Sequence, residues 1–242
     1  MPSAPSTPRD LAADLAFAGD LASAAATEIL PHFRALSAVE GKASSAEFDP
    51  VTEADRAAER AMRRLIEAHR SGDGIIGEEY DAIASGTGYT WFLDPVDGTR
   101  AFVAGLPVWT TLIALCGPDE TPLIGVIDQP VLAERYLGWP GGAAVETAGG
   151  RRPLSVSSCA DLREATIATT DPFIMTPAEQ GAWTHLRHTA RIIRYGLDAY
   201  AYARLAAGTI DLVAETGLSP WDTAALIPVA RGAGGLACDW TG

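Results

Sequence analysis

Apolar positions Leu11, Leu15, Ala18, Ala22, Ala25 and Ile29 recur at alternating steps of four and three, which gathers them on one face of a helix. Pro31 ends the pattern, since proline cannot continue the hydrogen-bond ladder. Thr7-Pro8-Arg9-Asp10 ahead of it reads as an N-cap with proline in the first turn. Residues 1 to 6 read as a loose tail, and the stretch from Ala35 to Pro50, which has no clear period, as a loop or mobile hairpin. A second helix opens at Thr52-Glu53-Ala54-Asp55 and is carried by Ala58, Met62, Leu65 and Ile66.

After Gly72 the texture changes. Short β-rich runs at Ile75-Ile76, Thr90 to Leu93, Val108 to Cys116, Leu123 to Ile127 and Arg135 to Trp139 are separated by Gly and Pro. The second half alternates. Strands near Ala165 to Thr169, Ile192 to Arg194 and Ile210 to Glu215 are interleaved with helices near Ala178 to Thr189, Ala199 to Ala207 and Pro220 to Gly232. This pattern predicts an α/β (α+β) chain of two halves packed face to face rather than one doubly wound sheet. The halves span about 7–150 and 151–242, a single unit with its active site between them.

The bulk numbers narrow the partners. With 242 residues, 48% of them hydrophobic, there is material for a large core. A formal net charge of −13 repels nucleic acid and anionic lipid, so neither is expected as a partner. A small phosphorylated metabolite would need local positive charge, which bound divalent cations could supply. Three cysteines, Cys116, Cys159 and Cys238, form neither a disulfide framework nor a zinc knuckle. The first helix is interrupted by Asp14, Asp20 and Glu28 and lacks a basic leader, so it does not read as a signal peptide. No apolar run approaches bilayer-spanning length, and a cytoplasmic location with no membrane partner is expected.

Five carboxylates fall where backbone geometry could aim them into one cleft. Glu78 and Glu79 follow the strand Ile75-Ile76-Gly77, and Asp94 ends Trp91-Phe92-Leu93. In the expected turn Pro95-Val96-Asp97-Gly98-Thr99, Pro95 fixes φ and Gly98 permits unusual dihedrals, so Asp94 and Asp97 can point the same way. Asp222 lies in the first turn of a helix announced by Ser219-Pro220. Hard cations such as Mg²⁺ take such oxygen ligands, with phosphate oxygens completing the shell. Each residue alone has a plainer reading. Asp222 after Ser219, and Asp55 after Thr52, fit capping boxes. Glu78-Glu79 would be a solvated charge pair, and Asp94-x-x-Asp97 a turn signal. His185-x-x-His188 lies in a surface helix with no third ligand, and Gly232 to Gly235 reads as a turn because it lacks the lysine of a phosphate loop.

Together these segments resemble the inositol monophosphatase superfamily, over nearly the whole chain. The resemblance rests on Asp49-Pro50-Val51-Thr52-Glu53-Ala54-Asp55, Gly77-Glu78-Glu79, Trp91 to Thr99, and Trp221-Asp222-Thr223-Ala224-Ala225, in that order and rough spacing. Within it, Thr99 to Pro107, Gly125 to Pro130 and Arg194 to Tyr200 look like the histidinol-phosphate phosphatase branch. The resemblance implies a layered αβαβα sandwich of the inositol monophosphatase and fructose-1,6-bisphosphatase type. It implies two or three Mg²⁺ per site, with ligands at Glu78, Asp94, Asp97, Asp222 and the Val96 carbonyl, and Glu79 near a third, weaker metal. Gly98 and Thr99 match the segment whose N–H groups hold phosphate, and Asp55 the acceptor of the Thr99 hydroxyl. Arg194, Asp198 and Glu215 fall beside the leaving group. The plain alternatives there are an N-cap for Asp198 and a solvated strand end for Glu215.

The expected activity is therefore Mg²⁺-dependent hydrolysis of a phosphomonoester without a covalent intermediate, by a homodimer. Two carboxylates beside the leaving group suit a cationic aminoalcohol carrying an imidazole, hence L-histidinol phosphate. Inositol 1-phosphate or another small metabolite phosphate is the alternative, and a non-catalytic regulatory binding module the alternative from another class. Family members run past the point where this chain stops, at Asp239-Trp240-Thr241-Gly242, so a final strand is expected to be absent or reduced.

Overall fold

A computed structural model describes residues 9–35, 40–41, 50–51 and 53–242. The tail, the Thr7 cap, most of the segment between Ala35 and Pro50, and the pairing of Thr52 with Asp55 lie outside the described residues.

Helix α1 (Leu11–Ile29) has the expected bounds, and Asp10 caps it. One Asp10 oxygen accepts from the N–H groups of Ala12 and Ala13, both at 3.1 Å. Arg9 forms ion pairs with Asp14 at 2.5 Å and Asp73 at 2.7 Å. Strands β1 (Glu40–Gly41) and β2 (Pro50–Val51) form a short antiparallel ladder. Helix α2 (Glu53–His69) packs along α1.

A seven-stranded sheet follows, made of β3 (Gly74–Gly77), β4 (Thr90–Asp97), β5 (Thr110–Cys116), β6 (Pro122–Gln129), β7 (Glu134–Trp139), β8 (Gly142–Thr147) and β9 (Gly150–Pro153), in that spatial order. Only the β3–β4 pair is parallel. A single turn of helix, α3 (Thr99–Val103), leaves the end of β4. Strand β5 is buried along its length, and the period-two alternation of its side chains serves two cores. Ile113 and Leu115 join α1 and α2 on one face; Leu112 and Ala114 join the C-terminal helices on the other.

The remaining layers come from the C-terminal part. Strands β10 (Thr166–Thr169), β11 (Ile192–Tyr195) and β12 (Leu212–Val213) form a parallel three-stranded sheet with β10 in the centre. Helices α5 (Tyr200–Ala206) and α6 (Pro220–Gly232) fill the space between the two sheets, while Trp183 of α4 (Pro177–Thr189) packs on Ile167 and Met175 beyond the smaller sheet. The order helix, sheet, helix, sheet, helix is the expected αβαβα sandwich. Two corrections stand out. The strand expected over Ile210 to Glu215 shrinks to two residues; at its start the Ile210 N–H donates to the Arg204 carbonyl at 3.3 Å instead of to β10. Strands β8 and β9 were not foreseen at all. Cys116 is buried and the other two cysteines are exposed, all unpaired as expected. Among the described residues no helix is long and apolar enough to cross a membrane.

Candidate active site

Asp94 and Asp97 are three positions apart, and in a regular strand an odd separation sends side chains to opposite faces. The structure resolves this with a bulge rather than the expected turn. Asp94 pairs with Leu112 but Asp97 pairs with Thr110, so β4 uses three steps where β5 uses two. The extra residue brings both carboxylates to one side. Pro95, which has no N–H for the ladder, is tolerated there, and its carbonyl accepts from the Thr111 hydroxyl at 2.7 Å.

Asp222, in the first turn of α6, completes a cluster with them. One oxygen from each of the three carboxylates lies within 4.8 Å of the others. Asp222 also accepts from the Ser219 N–H at 2.7 Å, so capping and facing the cluster are both realised. Asp94 is 2% exposed, and its Oδ1 atom has no hydrogen-bond partner among the described residues. A buried carboxylate oxygen left unmatched beside two other carboxylates is costly unless a cation meets it. Burial first, then the charges of Glu78, Asp97, Asp222 and Asp55, push the Asp94 carboxyl well above the usual range. Asp97 is pushed up likewise by burial and then by Asp198, partly offset by the Ala199 N–H. Asp222 is raised by burial, against the Ser219 N–H. This donor set, oxygen-only and mutually repelling, fits a hard divalent cation.

Glu78 and Glu79 follow the end of β3, both half-buried. Glu78 donates its N–H to the Leu93 carbonyl at 3.3 Å, which holds it beside the end of β4. The Glu79 side chain faces Arg56 at 3.7 Å. Asp55 is buried in the first turn of α2, close enough to contribute to the raised Asp94 carboxyl. The Thr99 hydroxyl donates to the Val96 carbonyl at 3.2 Å.

Gly98 connects β4 to α3 with φ +83, a left-handed conformation open to glycine. A Cβ there would also lie 2.9 Å from Asp198 Oδ2. Asp198 therefore sits over the Asp97-Gly98 corner, itself at φ +47. It does not cap α5, whose N-cap position is Ala199 with no side-chain cap. Burial pushes the Asp198 carboxyl up to about 6, against the opposing charge of Arg100.

Glu215 is not a solvated strand end. Its Oε1 atom accepts from the Thr170 N–H at 2.7 Å and the Thr170 hydroxyl at 3.0 Å. Burial raises it to about 7, with Thr170 opposing and Asp198 adding to the rise. Thr170 in turn accepts from the Asp198 N–H at 3.1 Å, so one threonine ties the two carboxylate-bearing segments together. Thr170 was missed in the sequence, where its only signal is a hydroxyl directly after the β10 run. Burial, then Glu215, Asp97 and Asp222, raise the Tyr202 hydroxyl strongly, which marks a second neighbour of the cluster that the sequence did not single out. Arg194 is exposed on β11, where it pairs with Ala168 in the ladder, and its side chain forms no hydrogen bond or ion pair among the described residues. His185 and His188 are exposed on α4, in keeping with a surface helix.

Known proteins resemble this chain in sequence and in fold. A model of the inositol monophosphatase family matches residues 10–242. A chloroplastic bifunctional phosphatase of Arabidopsis thaliana is 42% identical over 198 residues, covering 81% of this chain and 56% of that protein. The chain thus spans little more than half of that relative's length. A histidinol-phosphatase of Mycobacterium tuberculosis is 40% identical over 193 residues, covering 78% of this chain and 74% of its own. Among solved structures, an inositol monophosphatase from Zymomonas mobilis superposes with a TM-score of 0.83 at 37% identity, covering 97% of this chain and 88% of that one.

Proposed function

Because the chain belongs to the inositol monophosphatase family, we propose that it is a Mg²⁺-dependent phosphomonoesterase whose substrate is L-histidinol phosphate. The observation that carries the metal part is the Asp94, Asp97 and Asp222 cluster with its unmatched buried oxygen. Asp94, Asp97, Asp222, Glu78 and the Val96 carbonyl would hold two Mg²⁺ ions, with Glu79 beside a third. Magnesium bound there supplies Lewis acidity, which makes water a stronger nucleophile, and positive charge that screens the phosphate. Gly98 and Thr99 present backbone N–H groups to the phosphate at the start of α3. In the substrate-bound enzyme the Thr99 hydroxyl, turned from the Val96 carbonyl to Asp55 as its acceptor, would orient the attacking water in line with the departing alkoxide.

The choice of substrate rests on what surrounds the leaving group. Asp198 over the Gly98 corner and Glu215 held by Thr170 are two acidic groups tied together through Thr170. Carboxylates in that position favour the ammonium and imidazole of an aminoalcohol over the hydroxyls of a neutral polyol. Arg194, on the strand that leads into Asp198, belongs to the same end of the proposed site. The similarity to a histidinol-phosphatase supports this reading, and the similarity to an inositol monophosphatase structure keeps inositol 1-phosphate as the second.

The class of activity is tested by following phosphate release from L-histidinol phosphate with Mg²⁺, with EDTA, and with the Asp94→Asn variant. Release that needs Mg²⁺ and disappears in the variant supports the reading. Release that survives EDTA, or a folded Asp94→Asn enzyme with near-native turnover at saturating Mg²⁺, contradicts it.

A further inference from the structure

Glu59 is a carboxylate with no solvent exposure, in the middle of α2 and outside the cluster described above. A buried charge of this kind is retained only when it is fully paired. Its pairing is complete. Oε1 meets Arg63 Nε at 2.7 Å, one helical turn on, and Oε2 accepts the backbone N–H of Glu79 at 2.8 Å. The rest of the Arg63 fork reaches the same loop, donating to the Tyr80 carbonyl and the Asp81 carbonyl at 2.9 Å each. Three successive positions of the loop, Glu79 to Asp81, are thereby fixed to one helix face, and Gly77 passes directly over Glu59. A Cβ at Gly77 would lie 2.2 Å from Glu59 Oε1. Just beyond, Ile83 pairs with Ile75 and closes the loop back on β3.

We infer that Glu59 and Arg63 are positioning residues for metal binding: they clamp the loop after β3 to α2, so that Glu78 and Glu79 are held at the height of Asp94. The inference rests on the metal-site reading given under the proposed function. Its geometry has a particular consequence. Asp55 lies in the first turn of the helix that Glu59 and Arg63 share, so the clamp sets the acidic loop and Asp55 in one rigid frame. Outer partners that orient ligating carboxylates influence metal affinity by about 10–100-fold, without touching the ion.

Glu59→Asp withdraws the carboxylate by one methylene from the Glu79 N–H. Arg63→Lys keeps the buried charge paired but removes the planar fork that reaches two carbonyls. The experiment is calorimetric titration of Mn²⁺ into metal-stripped protein, paired with thermal unfolding in EDTA. Wild type is expected to bind, and each variant to raise the Mn²⁺ dissociation constant by about tenfold or more. Should Glu59→Asp fail to fold, Arg63→Lys carries the test. A folded variant with lowered unfolding midpoint and unchanged Mn²⁺ affinity would overturn the inference, since a role in stability alone predicts that result. No Mn²⁺ binding by wild type would instead refute the metal-site reading itself, and the clamp's function with it.

Discussion

Asp97 Oδ2 accepts the Ala199 N–H at 2.6 Å across 102 residues of sequence, which joins the end of β4 to the start of α5. One carboxylate therefore faces the acidic cluster and also tethers the segment that carries Asp198. Removing it should loosen that segment. In Asp97→Ala, amide exchange in a peptide covering 196–202 is expected to quicken by roughly tenfold or more, a loss of about 1.4 kcal/mol of local protection. Unchanged exchange would mean that Asp198 is held by Thr170 alone.

Thr170 should matter to specificity more than to turnover. Thr170→Val keeps the shape and removes the hydroxyl that serves both Glu215 and the Asp198 N–H. Losing these bonds is expected to cost about 1–2 kcal/mol in binding the cationic end of the substrate, seen as roughly a tenfold rise in KM for L-histidinol phosphate. Hydrolysis of inositol 1-phosphate should change little. Equal losses on both substrates would assign Thr170 to the fold.

Glu215 gives the site a pH signature. Its carboxyl titrates near 7, so it is charged above that pH and neutral below it, and its attraction for a cation is lost as pH falls. The substrate titrates as well, which makes the comparison with Glu215→Gln the informative one. The ratio of KM in the variant to KM in wild type should be about ten or more at pH 8 and approach one at pH 6. A ratio independent of pH would remove Glu215 from substrate binding.

Much of this was legible in the sequence where periodicity or a special residue carried the information. The four-three steps from Leu11 to Ile29 gave α1 its bounds, and Ser219-Pro220 marked the start of α6 together with the double use of Asp222. Strand β9 was not legible because all four of its residues are exposed, and it is defined only by pairing with β8. The bulge in β4 was not legible either. Asp94-Pro95-Val96-Asp97 has the composition of a turn, and only the register against β5 shows that the strand runs through it. Glu59 was not legible for the opposite reason, since it lies among the charged residues Arg56, Arg60 and Arg63. The available hint was spacing. Glu59 follows Asp55 by four positions and precedes Ile66 by seven, which puts it on the buried stripe of α2.

Thr99 and Asp55 should behave as one unit if both act on a single water. Thr99→Ala and Asp55→Asn are each expected to lower kcat about 100-fold or more, and the double variant to be little worse than either. In the structure the Thr99 hydroxyl donates to the Val96 carbonyl, so Asp55 would act in the substrate-bound enzyme. Fully additive losses would reduce Asp55 to a structural residue of α2.

Divalent metal and the phosphate ester of a cationic aminoalcohol together define the proposed reaction. It is tested most directly by measuring kcat/KM at saturating Mg²⁺ for L-histidinol phosphate and inositol 1-phosphate in parallel. With Asp198 and Glu215 beside the leaving group, as proposed, L-histidinol phosphate should be favoured by about tenfold or more, and the preference should shrink in Glu215→Gln. Equal or greater efficiency on inositol 1-phosphate, with no change in the ratio in that variant, would contradict the account.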